Sequence, residues 1–178
     1  MKYRTIVVDP PWSYEDKLTM GSGVKHRGAA THYSCASVQD IAQIPVGEWA
    51  ESDAHLYLWT TNAFMVEAHD LAKAWGFRQR TIVTWCKTQF GMGHYFRNST
   101  EHFLFCVRGS LPVARHDMPT HFTAPRGRHS AKPEAFFDMV QSMSPGPYLD
   151  VFSRQQRLGW DTWGNECFVA PGLPEVTA

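Results

Sequence analysis

The stretch Ile6-Val7-Val8-Asp9-Pro10-Pro11-Trp12 restricts the folds open to this chain more than any other. Thr5 to Val8 reads as a short buried strand, because β-branched apolar residues suit a pleated, packed surface. The strand has to stop at Asp9: Pro10 and Pro11 lack an amide hydrogen and fix φ, so they neither continue a ladder nor propagate a helix. An acid therefore stands at a strand's carboxyl end, the edge at which open α/β sheets bind ligands. The two prolines leave Asp9, the Pro10 carbonyl and the Trp12 ring little freedom. A carboxylate and a carbonyl are both acceptors and together suit an amino group with two donor hydrogens, while an indole offers a face to a flat heterocycle. An exocyclic amine on a nucleobase has both features. The same tetrapeptide is equally compatible with a rigid turn and nothing more.

Beyond this turn the chain alternates strand with helix. Ser13 to Tyr33 is rich in Gly, Ser, Lys, Arg and His, with Gly21-Ser22-Gly23 at its middle. No fixed period fits it, and a loop of that length beside a candidate site is expected to act as a lid over the substrate. Ser37-Val38-Gln39-Asp40 has the pattern of a capped helix start, leading to Ile41 and Ile44 before Pro45. His55 to Thr60 reads as a second buried strand. Asn62 is the expected cap of a helix over Ala63 to Trp75, where Phe64, Met65, Ala68, Leu71 and Ala72 recur at helical spacing and Gly76 ends the run. A third strand covers Thr81 to Trp85 and ends at Lys87, a glycine-bearing loop covers Gln89 to Asn98, and a fourth strand covers His102 to Val107. From Gly109 to Ser130, breaking residues leave only a short strand near Thr120 to Thr123. Pro133 to Met143 is expected to be a helix with Phe136, Phe137, Val140 and Met143 toward the core, and Tyr148 to Phe152 a buried strand. This alternation argues for a parallel or mixed sheet covered by helices.

A chain of 178 residues suffices for one domain, expected over 1–170, with 171–178 as a frayed tail. The formal net charge is zero, so any contact with a polyanion must come from local asymmetry. Gln39 to Ala54 holds Asp40, Glu48, Glu51 and Asp53 with no Lys or Arg, whereas Arg108 to Lys132 holds Arg108, Arg115, Arg126, Arg128 and Lys132 against Asp117 alone. The basic run is either a nucleic-acid face or a solvated surface. Cys35, Cys86, Cys106 and Cys167 are scattered without Cys-x-x-Cys or His spacing, which reads as reduced thiols and no metal site. The apolar run before Pro10 is too short for a signal-peptide core and no later stretch approaches membrane-spanning length, so a cytoplasmic protein without membrane contact is expected.

Asp9-Pro10-Pro11-Trp12 after a strand resembles the signature of amino methyltransferases acting on adenine N6, and the chain as a whole resembles the MT-A70 family. The resemblance is carried by an ordered set: Leu58-Trp59-Thr60-Thr61-Asn62, Trp75-Gly76-Phe77, Trp85-Cys86-Lys87-Thr88, Arg97-Asn98-Ser99-Thr100-Glu101, Val107-Arg108-Gly109, His129-Ser130-Ala131-Lys132-Pro133, and Gly159-Trp160 to Trp163-Gly164-Asn165-Glu166. It implies an α/β fold, the Rossmann-like seven-stranded mixed sheet of the class I S-adenosylmethionine-dependent methyltransferases. The catalytic turn comes near the amino terminus and the donor strand near the carboxyl terminus, a permuted order like that of the β-class amino methyltransferases. S-adenosyl-L-methionine is the implied donor.

By the same resemblance Asp9, Pro10, Pro11 and Trp12 are catalytic. Asp9, Lys132, Asp150, Phe152, Arg154, Asn165 and Glu166 bind the donor, Lys132 at its carboxylate, Arg154 on the ribose side and Asn165 with Glu166 at the adenosine. Tyr14, Asn62, Lys87, Arg97 and Asn98 are expected to face the substrate, and if the basic run is a nucleic-acid face, Arg115, Arg126 and Arg128 are its expected phosphate contacts. Leu149 to Arg154 has no Gly-x-Gly loop, and the chain starts only a few residues before Asp9, so no donor contact is expected from upstream. The implied substrate is adenine in nucleic acid, with DNA favoured over RNA and a bacterial or phage source. Sequence selectivity is expected to be short or to come from a homodimer or a second specificity subunit. The alternatives are an amino methyltransferase acting on cytosine N4 or a protein amide, which more often carries Ser or Asn before the prolines, and a non-catalytic nucleic-acid-binding subunit.

Overall fold

The computed structural model describes residues 2–12, 37–91, 95–127, 131–164 and 169–174. β1 (Tyr3–Val8) lies inside a seven-stranded sheet of order β5-β3-β4-β2-β1-β6-β7. It runs parallel to β2 (Ala50–Thr60) on one side and to β6 (Tyr148–Val151) on the other, with Val8 level with Leu58 and with Val151. β7 (Trp160–Trp163) extends the parallel set beyond β6. On the other flank the chain crosses from β2 through α3 (Met65–Ala74) to β3 (Arg78–Gly91), then returns along β4 (Asn98–Arg108), which inserts antiparallel between β2 and β3. β5 (His121–Ala124) closes that edge, parallel to β3. The chain thus moves outward from β1 through β2 and later reverses to the far side at β6. The carboxyl ends of β1 and β6 flank the point at which a crevice opens in a sheet of this kind.

Alternation across the pleat sends Ile6, Val8, Leu56, Leu58 and Leu149 to one face and Val7, Tyr57, Trp59, Val83 and Phe103 to the other. α1 (Val38–Gln43), α2 (Val46–Trp49) and α3 cover the first face through Ile41, Val46, Trp49, Leu71 and Trp75, and α4 (Glu134–Met143) covers the second through Phe136, Phe137 and Val140. Burial of both faces explains why these strands read as continuous apolar runs. The expected α/β architecture, a seven-stranded mixed sheet in permuted motif order, is the one observed.

α1 starts as its sequence dictates: Ser37 Oγ accepts from the Asp40 amide, and the Asp40 carboxylate accepts from the Ser37 amide. Other boundaries differ, each because a partner overrides local preference. β2 begins at Ala50 and not at His55, since Ala50 pairs with Tyr3 ahead of the polar residues Glu51 to Asp53. β3 and β4 outrun Thr81–Trp85 and His102–Val107, because each supplies the other's ladder bonds, across a register shift after Cys86, out to the Gly91–Asn98 pair, turning the ends of the expected loop, residues 89–91 and 98, into strand.

Asn62 does not cap α3; a 3-10 turn over Asn62–Phe64 precedes the helix. Its Oδ1 accepts instead from His102 Nε2 at 2.8 Å, and Thr84 Oγ1 donates to His102 Nδ1 at 3.0 Å. Burial, partly opposed by Glu101, lowers the His102 pKa and keeps the ring neutral. β7 has no counterpart among the expected strands; it is an edge strand paired with β6 alone. The tail expected to fray from Pro171 is held as far as Pro174, whose carbonyl accepts from Trp163 Nε1 at 2.8 Å, while Leu173 packs on the core. The expected lid, Ser13 to Tyr33, lies outside the described residues.

Candidate active site

Asp9 leaves β1 at the sheet's carboxyl edge and is tied to the neighbouring strand, its amide donating to the Val151 carbonyl at 3.3 Å. Pro10 and Pro11 then force a tight reversal in which the Trp12 amide donates to the Pro10 carbonyl at 2.9 Å. That carbonyl keeps its second lone pair. The Trp12 ring folds inward: Nε1 donates to the Trp59 carbonyl at 3.2 Å, and the indole stacks on Phe64 with ring centroids 5.0 Å apart. One indole face is therefore occupied by the protein, and Trp12 anchors the turn in the core. A base stacking on Trp12 has only the other face to use.

The Asp9 side chain heads a chain of alternating charges. Lys132 Nζ donates to Asp9 Oδ2 at 2.7 Å and lies 3.4 Å from Glu101 Oε2; Lys87 Nζ donates to the other oxygen of Glu101 at 2.5 Å. Lys132 reaches this position because it comes just before α4, where Pro133 ends the extended backbone, and its ammonium lies 4.9 Å from the Trp59 ring centroid. Burial works most strongly against the Lys132 charge, but the carboxylates of Asp9 and Glu101 outweigh it and hold its pKa above the ordinary lysine value. Burial alone would raise Glu101; Lys132 and Lys87 hold it below its ordinary value instead. The consequence for Asp9 is that Oδ2 is engaged by a fixed cation, while Oδ1 has no side-chain partner among the described residues and can take a further donor.

Across the crevice, β6 ends in a strained turn. Phe152 adopts φ +62°, a conformation that a bulky residue rarely takes, and its amide donates to the Trp163 carbonyl at 2.6 Å. Gly164 makes this closeness possible, since a Cβ there would lie 2.6 Å from the Ser153 carbonyl oxygen and 2.9 Å from its nitrogen. Asp150 is buried under the turn, and burial pushes its carboxyl up to about 7, with Asp9 adding to the rise and Ser153, Arg157 and Lys132 opposing it. Asp9, Lys132, Phe137, Asp150, Phe152 and Arg154 line one cleft.

The expected site residues separate into groups. Asp9, Lys132, Asp150, Phe152 and Arg154 come together, with Asn62 and Lys87 at the same sheet edge. Lys87 is 8% exposed and bonded to Glu101, linked to Asp9 through three ion pairs in series. Arg97 and Asn98 sit exposed at the β3–β4 turn, and Arg126 Nη1 lies close to Gly91 at the same end. Arg115 lies at the opposite end, in a two-bond pair with Asp117, beside Ala114, whose amide donates to Met143 at the far end of α4. Arg108 is a structural staple between the Gly47 and Trp75 carbonyls. Tyr14, Arg128, Asn165 and Glu166 lie outside the described residues. Sequence reasoning passed over Glu101 and Phe64; the available signal was the level pairing of Glu101 with Trp85, which sets Glu101 diagonal to Lys87 across the hairpin.

Several curated proteins resemble this chain. The N(6)-adenosine-methyltransferase catalytic subunit METTL3 of Homo sapiens is 23% identical over 93% of the chain, which spans 28% of that protein. A putative N(6)-adenosine-methyltransferase MT-A70-like protein of Medicago truncatula is likewise 23% identical over 93% of the chain and 26% of its own length. The N(6)-adenine-specific methyltransferase METTL4 of Homo sapiens is 27% identical over 92% of the chain and 37% of its own length. The chain therefore spans well under half of each of these relatives. Residues 3–166, the whole seven-stranded sheet and every described element of the cleft, match the model of the MT-A70 family, and the chain belongs to that family.

Proposed function

We propose that this chain transfers a methyl group from S-adenosyl-L-methionine to the N6 amine of adenine in nucleic acid, with DNA the favoured polymer. The observation that carries the reading is the pairing of a rigid Asp-Pro-Pro turn at the end of β1 with Lys132 on one Asp9 oxygen only. The relatives' names support the base and the atom.

The cleft's donor set fits such a cofactor. It offers a cation for a carboxylate at Lys132, buried and partly exposed carboxylates for hydroxyl groups at Asp150 and Asp9, a guanidinium at Arg154 and aromatic surface at Phe137 and Phe152. Lys132 has three N–H donors and uses two on Asp9 and Glu101, which leaves one for a ligand carboxylate. When bound, S-adenosylmethionine supplies an electrophilic methyl carbon; all else falls to the chain. Asp9 Oδ1 accepts one N6 hydrogen and the free lone pair of the Pro10 carbonyl accepts the other, which turns the nitrogen lone pair toward the cleft. Asp9 Oδ1, accepting an N6 hydrogen, is placed to take the N6 proton as the new bond forms, and Lys132, kept charged by Asp9 and Glu101, holds Oδ2 and so fixes the orientation of the carboxyl group. Trp12 fixes the turn from below, so the acceptors hold their spacing without substrate.

The test is transfer of labelled methyl from S-adenosylmethionine to matched DNA and RNA oligomers carrying adenine or cytosine as the only amino base, followed by nucleoside identification. N6-methyladenine is the expected product. Label on cytosine alone, or on no oligomer, overturns the reading. A preference for RNA would locate a 2′-hydroxyl contact and reverse the choice of polymer.

A further inference from the structure

Beyond Lys87, β3 has outrun its neighbour β5, whose last paired residue is Ala124, and before His102, β4 has not yet met β2, whose last paired residue is Thr60. Residues 88–91 of β3 and 98–100 of β4 thus form a two-stranded arm projecting past the sheet's carboxyl edge, the edge that carries Asp9. Its surface composition is unusual for this molecule. Phe90, Tyr95 and Phe96 are 69%, 96% and 86% exposed, and they are all of the large exposed aromatic side chains among the described residues, the other exposed large apolar groups being Val66, Ile82 and Leu158. Elsewhere among the described residues the rings are packed into the two core faces. Residues 87–98 contain no Asp or Glu, Arg97 is exposed between the rings and Asn98, and Arg126 lies against Gly91 at the arm's base. The arm is also continuous with the candidate site, since Lys87 at its root is joined through Glu101 and Lys132 to Asp9.

Clustered exposed rings mark an interaction site. Rings interleaved with guanidinium groups and free of acids suit a polyanion whose flat groups are uncovered, in which ring stacks on base and cation meets phosphate. Resting on the adenine-methyltransferase reading, we infer that Phe90, Tyr95 and Phe96 form a stacking platform for unpaired bases beside the target adenine, so that the preferred substrate is single-stranded or locally unpaired nucleic acid. A paired duplex keeps its base faces covered, and flipping a base out of it costs a few kcal/mol.

The experiment uses the full chain and measures binding to a labelled adenine-containing single strand and its duplex, methyl transfer to both, and mass in solution. The proteins are wild type, Phe90→Ala, Tyr95→Ala, Phe96→Ala, the triple alanine variant, and Tyr95→Phe as the ring-preserving control. Wild type should bind the single strand more tightly than the duplex. Each alanine variant should lose roughly 5- to 150-fold in single-strand affinity, the equivalent of one base stacked on one ring. KM should rise while kcat at saturating oligomer and the melting midpoint hold, and Tyr95→Phe should retain affinity. Methylation of adenine with unchanged single-strand KM in the triple variant overturns the platform and leaves the enzymatic reading intact. Ring-dependent binding without methylation of any adenine does the reverse. A wild-type dimer that becomes monomeric in the triple variant at unchanged oligomer affinity assigns the rings to self-association and overturns the inference.

Discussion

At the scale of single residues, the proposed chemistry rests on one oxygen. Asp9 Oδ2 is held by Lys132, so the proposed recognition of the substrate amine falls to Oδ1 and to the Pro10 carbonyl. Asp9→Ala should abolish methyl transfer and cost about 1 kcal/mol of stability or less, because Asp9 is partly exposed and Lys132 keeps Glu101 as a partner. Turnover near the wild-type rate, or a collapse of the fold in urea, would refute this division of labour. Asp150 allows a sharper test by pH. Burial raises its folded pKa to about 7 from an ordinary 3.8, so the folded state holds a proton that the unfolded state has lost across that window. Its contribution to stability is complete below 3.8 and is lost as pH rises toward 7. Between about pH 5 and pH 8 the wild type should lose up to about 3 kcal/mol relative to Asp150→Asn. Parallel urea-unfolding stabilities for the two proteins across that range would show that Asp150 stays charged in the fold.

At the scale of elements, the site is a junction between two parallel strand ends, and its closeness depends on Gly164. A methyl group there would meet the Ser153 carbonyl and amide, both backbone atoms with no means of moving aside alone. Gly164→Ala should cost about 1–3 kcal/mol and weaken S-adenosylmethionine binding in calorimetry, because it separates β7 from the turn that carries Phe152 and Arg154. Unchanged stability and donor affinity would mean that the junction is looser than its geometry. The same junction marks how far the sequence can be read. Ile6 to Asp9 announces a strand, its end and its acid, because the apolar run and the prolines act locally. Nothing local in Trp160 to Trp163 announces β7, which exists only as a partner of β6. Nor does anything local in Glu101 point to Lys132, which comes from before α4 at a separation of thirty-one residues along the chain and meets it only once the second face of the sheet is covered. Trp12 shows the converse: its ring suggested a stacking surface, yet Phe64 and the Trp59 carbonyl claim much of it.

At the scale of the whole molecule, a net charge of zero makes the placement of cations decide where a polyanion can lie. The run from Arg108 to Lys132 looks like one basic face in the sequence, but the fold divides it. Arg108 is spent on backbone carbonyls, and Arg115 lies near the end of α4 at the sheet's amino edge, neutralised by Asp117. The distance from there to the carboxyl edge is about the length of a strand, on the order of 20 Å. Arg126 follows β5 at the carboxyl edge, close to the arm and on the side of the sheet's edge that carries Asp9. Under the proposed function, only a cation at that edge can meet the phosphates next to a target adenine at Asp9. Arg126→Ala should therefore weaken oligomer binding about equally across sequences and reduce the slope of log affinity against log salt by roughly 0.7 for a single strand or 0.9 for a duplex, the share of one phosphate contact. Arg115→Ala should leave both affinity and slope at wild-type values. The check is a salt titration of the three proteins on the same oligomer, and a slope that falls for Arg115→Ala but not for Arg126→Ala would move the nucleic acid to the opposite edge of the sheet.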